Sequence, residues 1–158
     1  MTLPDNRLTA ITDPGDPRIE AYRDIRERDL VRRHGHFIAE GKTVLQVLVA
    51  QQRFPVQSLL VLENRVAGIA DMIAALPNTV PVYRAAQPVM DAIAGFHMHR
   101  GILAIARIPA ETGQLPEQFP ASWTKILVLS GISNHDNMGG IFRNAAAFGV
   151  DGVLLDPE

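Results

Sequence analysis

Residues 125–158 read KILVLSGISNHDNMGGIFRNAAAFGVDGVLLDPE, and the order of textures along that stretch decides the fold. Ile126-Leu127-Val128-Leu129 is a short apolar run suited to a buried strand. Polar residues and glycines follow, residues 141–148 are predicted helical, Gly149 breaks the helix, and Val153-Leu154-Leu155 is a second strand. Strand, loop, helix and strand make a βαβ unit. Its Gly-rich first turn sets backbone N–H groups and a helix N-terminus at the carboxyl end of the sheet, a place that suits an anion or a polar ligand. Asn137-Met138-Gly139-Gly140 leads into the helix, with Asn137 the expected N-cap. The glycines allow another backbone or a ligand to come close. Arg143 is expected about one turn in, where a cation opposes the helix dipole. That placement points to a job other than stability. Neither a GxGxxG fingerprint nor a GxxxxGK-S/T phosphate loop occurs, which weakens nucleotide-binding readings.

The spacing Asn-x-Gly-x-x-x-Arg-x-Ala-x-x-Phe-Gly, carried by Asn137, Gly139, Arg143, Ala145, Phe148 and Gly149, resembles the first motif of the SpoU-type, TrmH-like RNA 2′-O-ribose methyltransferases of the knotted SPOUT superfamily. Many members carry Asp-Pro ahead of the Asn, where this chain has His135-Asp136. The resemblance implies a knotted Rossmann-like catalytic domain, S-adenosylmethionine as methyl donor, ribosomal or transfer RNA as substrate, and a dimer formed through the knotted domain. It makes Arg143 the catalytic candidate near the ribose 2′-hydroxyl. Asn137 would orient loop and substrate, and Gly139 and Gly140 would form the loop and helix N-terminus. Arginine is a poor base because it stays protonated, so Arg143 would polarise the hydroxyl or fix the adjacent phosphate.

Composition sets outer bounds. Apolar residues make up 47% of the 158, enough for a core, and cysteine is absent, so disulfides and Cys-based zinc sites are excluded. No apolar run is long enough to span a bilayer, and the N-terminus does not read as a signal peptide. The expected location is the cytoplasm, with no membrane partner. The net charge of −2 does not advertise a polyanion partner. Its distribution is more informative, since residues 18–110 carry 12 Lys+Arg against 8 Asp+Glu and residues 111–158 carry 2 against 6. The surplus is nearly all arginine, whose planar fork suits phosphate.

In chain order, residues 1–16 read as a flexible lead-in. Asp16-Pro17 is a helix start, and a helix is predicted over 18–33, its charges mostly in i,i+4 pairs. Phe37-Ile38-Ala39 is a strand, Glu40-Gly41-Lys42 a turn, and 43–52 a helix with Val44, Leu45, Val47 and Leu48 inward. A strand at 58–62, a helix at 66–76, a strand at 80–83, a short helix at 88–94 and a strand at 101–107 complete an α/β sandwich over 17–108. Residues 109–124, rich in proline, are a linker, and 125–158 begin a second domain.

Phe37-Ile38-Ala39-Glu40-Gly41 before a helix, and Gly95-Phe96-His97-Met98-His99-Arg100-Gly101 before an apolar strand, resemble the ribosomal-protein-like substrate-binding domain that precedes the catalytic domain in many SpoU-type enzymes. The carry-over makes Glu40, Lys42, His99 and Arg100 the RNA-facing candidates. The pairs His34/His36 and His97/His99 lack further ligands at recognisable spacing, so no metal is expected. Two strands and one helix cannot cover both faces of a parallel sheet. Residues 125–158 are therefore expected to be a truncated start of the knotted domain, without the donor's pocket and inactive alone. Two other functions stay open: a non-catalytic RNA-binding module, and a small-molecule-binding α/β protein using the Asn137 loop as an anion site.

Overall fold

The computed structural model describes residues 4, 7–23, 35–95, 97–109 and 118–156. The chain divides into two units, Met1–Thr112 and Gly113–Glu158.

Unit 1 is built on a five-stranded sheet. Its strands are β1 (Thr9–Ile11), β2 (His36–Glu40), β3 (Val56–Leu62), β4 (Val82–Ala85) and β5 (Ile102–Arg107), in the order β1-β4-β3-β5-β2. β1 and β3 run parallel to β4, whereas β5 pairs antiparallel with β3 and β2. The helices are α1 (Lys42–Gln51), α2 (Ala70–Ala75) and α3 (Gln87–Ala94). The central strands are apolar at consecutive positions because both faces are covered. Leu60 and Leu62 join Leu103, Ile105, Met90 and Ile93 beneath α3 and the Pro17–Tyr22 turn. Leu59 and Val61 join Ile102, Ala104, Leu45, Leu48 and Ile73 beneath α1 and α2. Alternation along each strand sends neighbours to opposite layers. Each fully buried leucine or isoleucine contributes about 1.5–3 kcal/mol.

Unit 2 is the βαβ element: β6 (Ile126–Leu129), α4 (His135–Ala147) and β7 (Gly152–Leu155), with β6 and β7 parallel. Helix α4 ends in a Schellman arrangement. Gly149 sits at φ +64, its N–H donates to Ala146 O, and the Val150 N–H donates to Ala145 O. The Lys125 ammonium donates to Phe148 O at 3.0 Å, a cation at the helix's negative end. Trp123 lies on Gly152, where an added Cβ would stand 2.2 Å from the indole, and Phe119 stacks on Trp123 at 5.8 Å.

Several expectations are corrected. Residues 7–11 are not a loose lead-in: β1 extends the sheet beside β4, and the Arg7 guanidinium donates to Val80 O and Pro77 O at 2.7 and 3.2 Å. A three-residue edge strand is too short to show periodicity. Asp16 does cap at Pro17, its carboxylate accepting from the Arg18 N–H, but Pro17–Tyr22 is a 3-10 helix that Arg23 ends in extended backbone. The rest of the predicted 18–33 helix, and His34, lie outside the described residues. The predicted 66–76 helix is a 3-10 turn, Ala67–Ile69, followed by α2. Val44 and Val47 are not inward: they are 48% and 50% exposed, because α1 lies near the β2 edge of the sheet and only the Leu45–Leu48 line reaches the core.

Candidate functional site

Glu40 ends β2, and Gly41 turns the chain into α1 with φ +96, a backbone conformation that side chains resist. Its N–H donates to Ile102 O at 2.9 Å, which fixes the helix start against β5. Among the described residues no side chain caps α1, and its first turn holds no acid to offset the positive end of the helix. Opposite lies the loop 97–101. Asp91 holds it: one carboxylate oxygen accepts from the Met98 N–H at 2.9 Å and from Gln87 Nε2 at 2.6 Å, and the other meets His97 Nδ1 at 2.8 Å. These contacts, the Met98 N–H first and His97 next, draw the Asp91 carboxyl down to about 2. Gly101, at φ +64, passes so close to Leu62 that a Cβ would stand 2.7 Å from the leucine's own.

The result is a cleft of about 680 Å³ lined by Glu40, Lys42, Asn64, Arg65, His99 and Arg100, among others. The four residues expected to face RNA come together in it, although they lie in two separate parts of the sequence. Lys42, Arg65 and Arg100 outnumber the one carboxylate, Glu40. Glu40 neutralises little, since Arg100 Nε stands 3.9 Å from its Oε1 and both side chains are substantially exposed. Asn64 and Arg65 were missed from sequence. They sit on a 3-10 turn whose place beside the α1 start is set by how β3 leaves the sheet, and no local pattern announces that.

The second candidate lies in unit 2. Helix α4 begins at His135, earlier than the 141–148 expected, and its cap is Asn134 rather than Asn137. Asn134 Oδ1 accepts the Asn137 N–H at 3.1 Å, and Asn134 O accepts the Met138 N–H. The competition was between two asparagines three residues apart, and the one before the first turn caps it. Asn137 is thus inside the first turn with an exposed side chain. Gly139 and Gly140 lie within the helix rather than before it, and Arg143 stands about two turns from the start, not one. Its side chain runs back toward the N-terminus, as helical side chains do: Arg143 Nη1 lies 3.8 Å from where a Gly139 Cβ would be. At the sheet's carboxyl edge the Asp156 carboxylate accepts the Gly131 N–H at 2.6 Å. Among the described residues, no group of three or more His, Cys, Asp or Glu is placed to hold a metal.

A mixed α/β protein is thereby defined, with a basic cleft in one unit and a motif-bearing helix in the other. No family model matches the chain. Over 153 residues it is 38% identical to an uncharacterized tRNA/rRNA methyltransferase of Mycobacterium tuberculosis, covering 92% of this chain and 50% of that protein. A Mycobacterium bovis protein of the same description is 38% identical over 149 residues, with the same coverage. An RNA 2′-O ribose methyltransferase structure superposes with TM-score 0.72 at 24% identity, over 95% of this chain and 56% of that one. The SpoU methyltransferase AviRb from Streptomyces viridochromogenes, in complex with AdoMet, does so at TM-score 0.61 and 21% identity, over 89% and 52%. The chain is thus similar in sequence to proteins described as tRNA/rRNA methyltransferases, and it shares its fold with solved SpoU-type RNA methyltransferases. It spans about half the length of the curated relatives it matches.

Proposed function

We propose that this chain is the RNA-gripping part, together with the opening βαβ element of the catalytic part, of an S-adenosylmethionine-dependent 2′-O-ribose methyltransferase acting on ribosomal or transfer RNA in the cytoplasm. Residues 17–108 would be the ribosomal-protein-like substrate domain, 109–124 the linker, and 125–158 the start of the knotted domain through which the whole protein dimerises. One observation carries the reading: Glu40, Lys42, His99 and Arg100 line a single cleft at the uncapped start of α1. Three cations and a helix N-terminus in one recess suit a phosphate backbone.

S-adenosylmethionine supplies the electrophilic methyl group when bound. Residues 118–156 do not suffice to hold it. They form one two-stranded layer with Ile126 and Val128 41% and 67% exposed, and they bury only Leu129 and Ala145. What they contribute is Arg143, directed along α4 toward Gly139 and the helix start that Asn134 caps. There its guanidinium would polarise a ribose hydroxyl or hold the neighbouring phosphate, with Asn137 orienting the substrate.

Fluorescence anisotropy of this chain with a ribosomal or transfer RNA over a series of salt concentrations tests the grip. Affinity is expected to fall linearly with log salt, and Lys42→Ala and Arg100→Ala should each reduce the slope by roughly 0.7–0.9. Binding that ignores salt overturns the RNA reading. In a protein of the relatives' full length, Arg143→Ala should abolish methyl transfer while RNA affinity changes little. Turnover within tenfold of the unaltered protein removes Arg143 from the chemistry.

A further inference from the structure

Beside the basic cleft lies a second recess of different character. It is a groove of about 330 Å³ lined by Phe37, Val44, Val47, Arg53 and Phe54, among others. Phe37 and Phe54 meet edge to face at 5.3 Å, and the Arg53 guanidinium lies 5.4 Å from the centre of the Phe54 ring. A half-buried aromatic pair at a sheet edge is ordinarily core. Here, however, α1 presents Val44 and Val47 to the same recess, and both are about half exposed. The groove is also continuous with the cleft, since Thr43 and Val44 line both. A row of cations thus gives way, across the first turn of one helix, to an aromatic and apolar slot with an arginine at its rim.

We infer that the Phe37–Phe54 groove is a nucleobase subsite: it takes an unpaired base of an RNA strand whose phosphates lie in the Lys42–Arg65–Arg100 cleft. The inference rests on the RNA reading above and deepens it. Proteins that hold single strands combine a positive track for the backbone with aromatic faces and arginine planes on which bases stack. Both halves of that combination are present in adjoining recesses. Every base has a π face, so the subsite selects an exposed base over a paired one.

The test compares two octaribonucleotides with identical phosphates, one of uridines and one abasic at its central positions, binding to this chain. The wild type is expected to bind the base-bearing strand at least fivefold more tightly. Phe54→Leu, which keeps apolar volume but loses the ring, should bring the two affinities within twofold. Val47→Gln, at an exposed helix position that folding tolerates, should do the same. In both variants the salt slope should be unchanged, because the cations are untouched. Salt-dependent binding with no preference for the base-bearing strand overturns the subsite and leaves the RNA reading standing. Absence of any salt-dependent binding overturns both. A concentration-dependent dimer that Val47→Gln abolishes would assign the groove to a second copy instead.

Discussion

In unit 1 a five-stranded sheet is covered on both faces, and it holds twenty-six of the twenty-eight buried apolar residues among those described; unit 2 holds two, Leu129 and Ala145. Phe142, Phe148, Val128 and Leu155 in unit 2 are between 43% and 74% exposed. Unit 2 is instead held at its ends. Asp151 accepts from the Thr124 and Lys125 N–H groups at 2.8 and 2.9 Å, Asp156 accepts from Gly131, Lys125 caps α4, and Trp123 covers Gly152. The first unit has the core of an independent domain. The second has local geometry without burial, which is the normal condition of a βαβ element lacking neighbouring strands. The difference teaches where to look for each kind of function: the ligand grip proposed above falls on the unit that has its own buried core.

Four experiments break or sharpen that contrast, using the single tryptophan, Trp123, as reporter of unit 2 and the buried Tyr22 as reporter of unit 1. Leu60→Ala empties a fully buried site and should cost unit 1 about 3 kcal/mol. Its urea midpoint by near-ultraviolet circular dichroism should fall while the Trp123 transition stays put. Midpoints that move together would show that the units fold as one. Gly152→Ala drives a methyl group into the Trp123 ring and should cost unit 2 about 2 kcal/mol. Red-shifted indole emission with an unaltered tyrosine signal is the expected result, and unchanged emission contradicts the contact. Asn134→Ala removes the α4 cap and should cost about 1 kcal/mol. The same substitution at Asn137 should cost less, and the reverse order would restore Asn137 as the cap.

Acid gives the smallest and most graded effect. Backbone N–H groups of Thr124 and Lys125 hold the Asp151 carboxyl below the usual range, and that of Gly131 does the same for Asp156. A depressed folded pKa contributes stability that is complete above the unfolded value near 4 and is lost as pH falls through the folded value. Trp123 emission should therefore shift red below about pH 4. Unit 1 keeps its tyrosine signal further down, because its stability rests mainly on a buried apolar core that does not titrate, whereas unit 2 relies on its end clamps. Tyrosine signal lost before tryptophan emission would reverse the ranking of the two units.

Much of this architecture was legible from residue order. The apolar runs at β3, β5 and β6, the Gly149 stop and the Asp16 cap are local signals, and each lies within a few residues of the structure it causes. The edge strand β1, the shortened helices and the exposed valines of α1 were not legible. Each depends on which neighbour covers a given face.

The sequence by itself determined that the chain is mixed α/β and that residues 125–156 form a βαβ element, and the family resemblance singled out Glu40, Lys42, His99 and Arg100 as candidates. Only the tertiary structure decided that those four share one cleft, that Asn64 and Arg65 join them, and that an aromatic groove adjoins it. The physical reason is the reach of the interactions. Capping, helix stops and alternation act over a few residues. A site is made where β2, β5 and β3, neighbours in the sheet, bring loops distant in sequence to one end of it, and that register is set by the packing of Leu59, Leu60, Val61, Leu103 and Ala104.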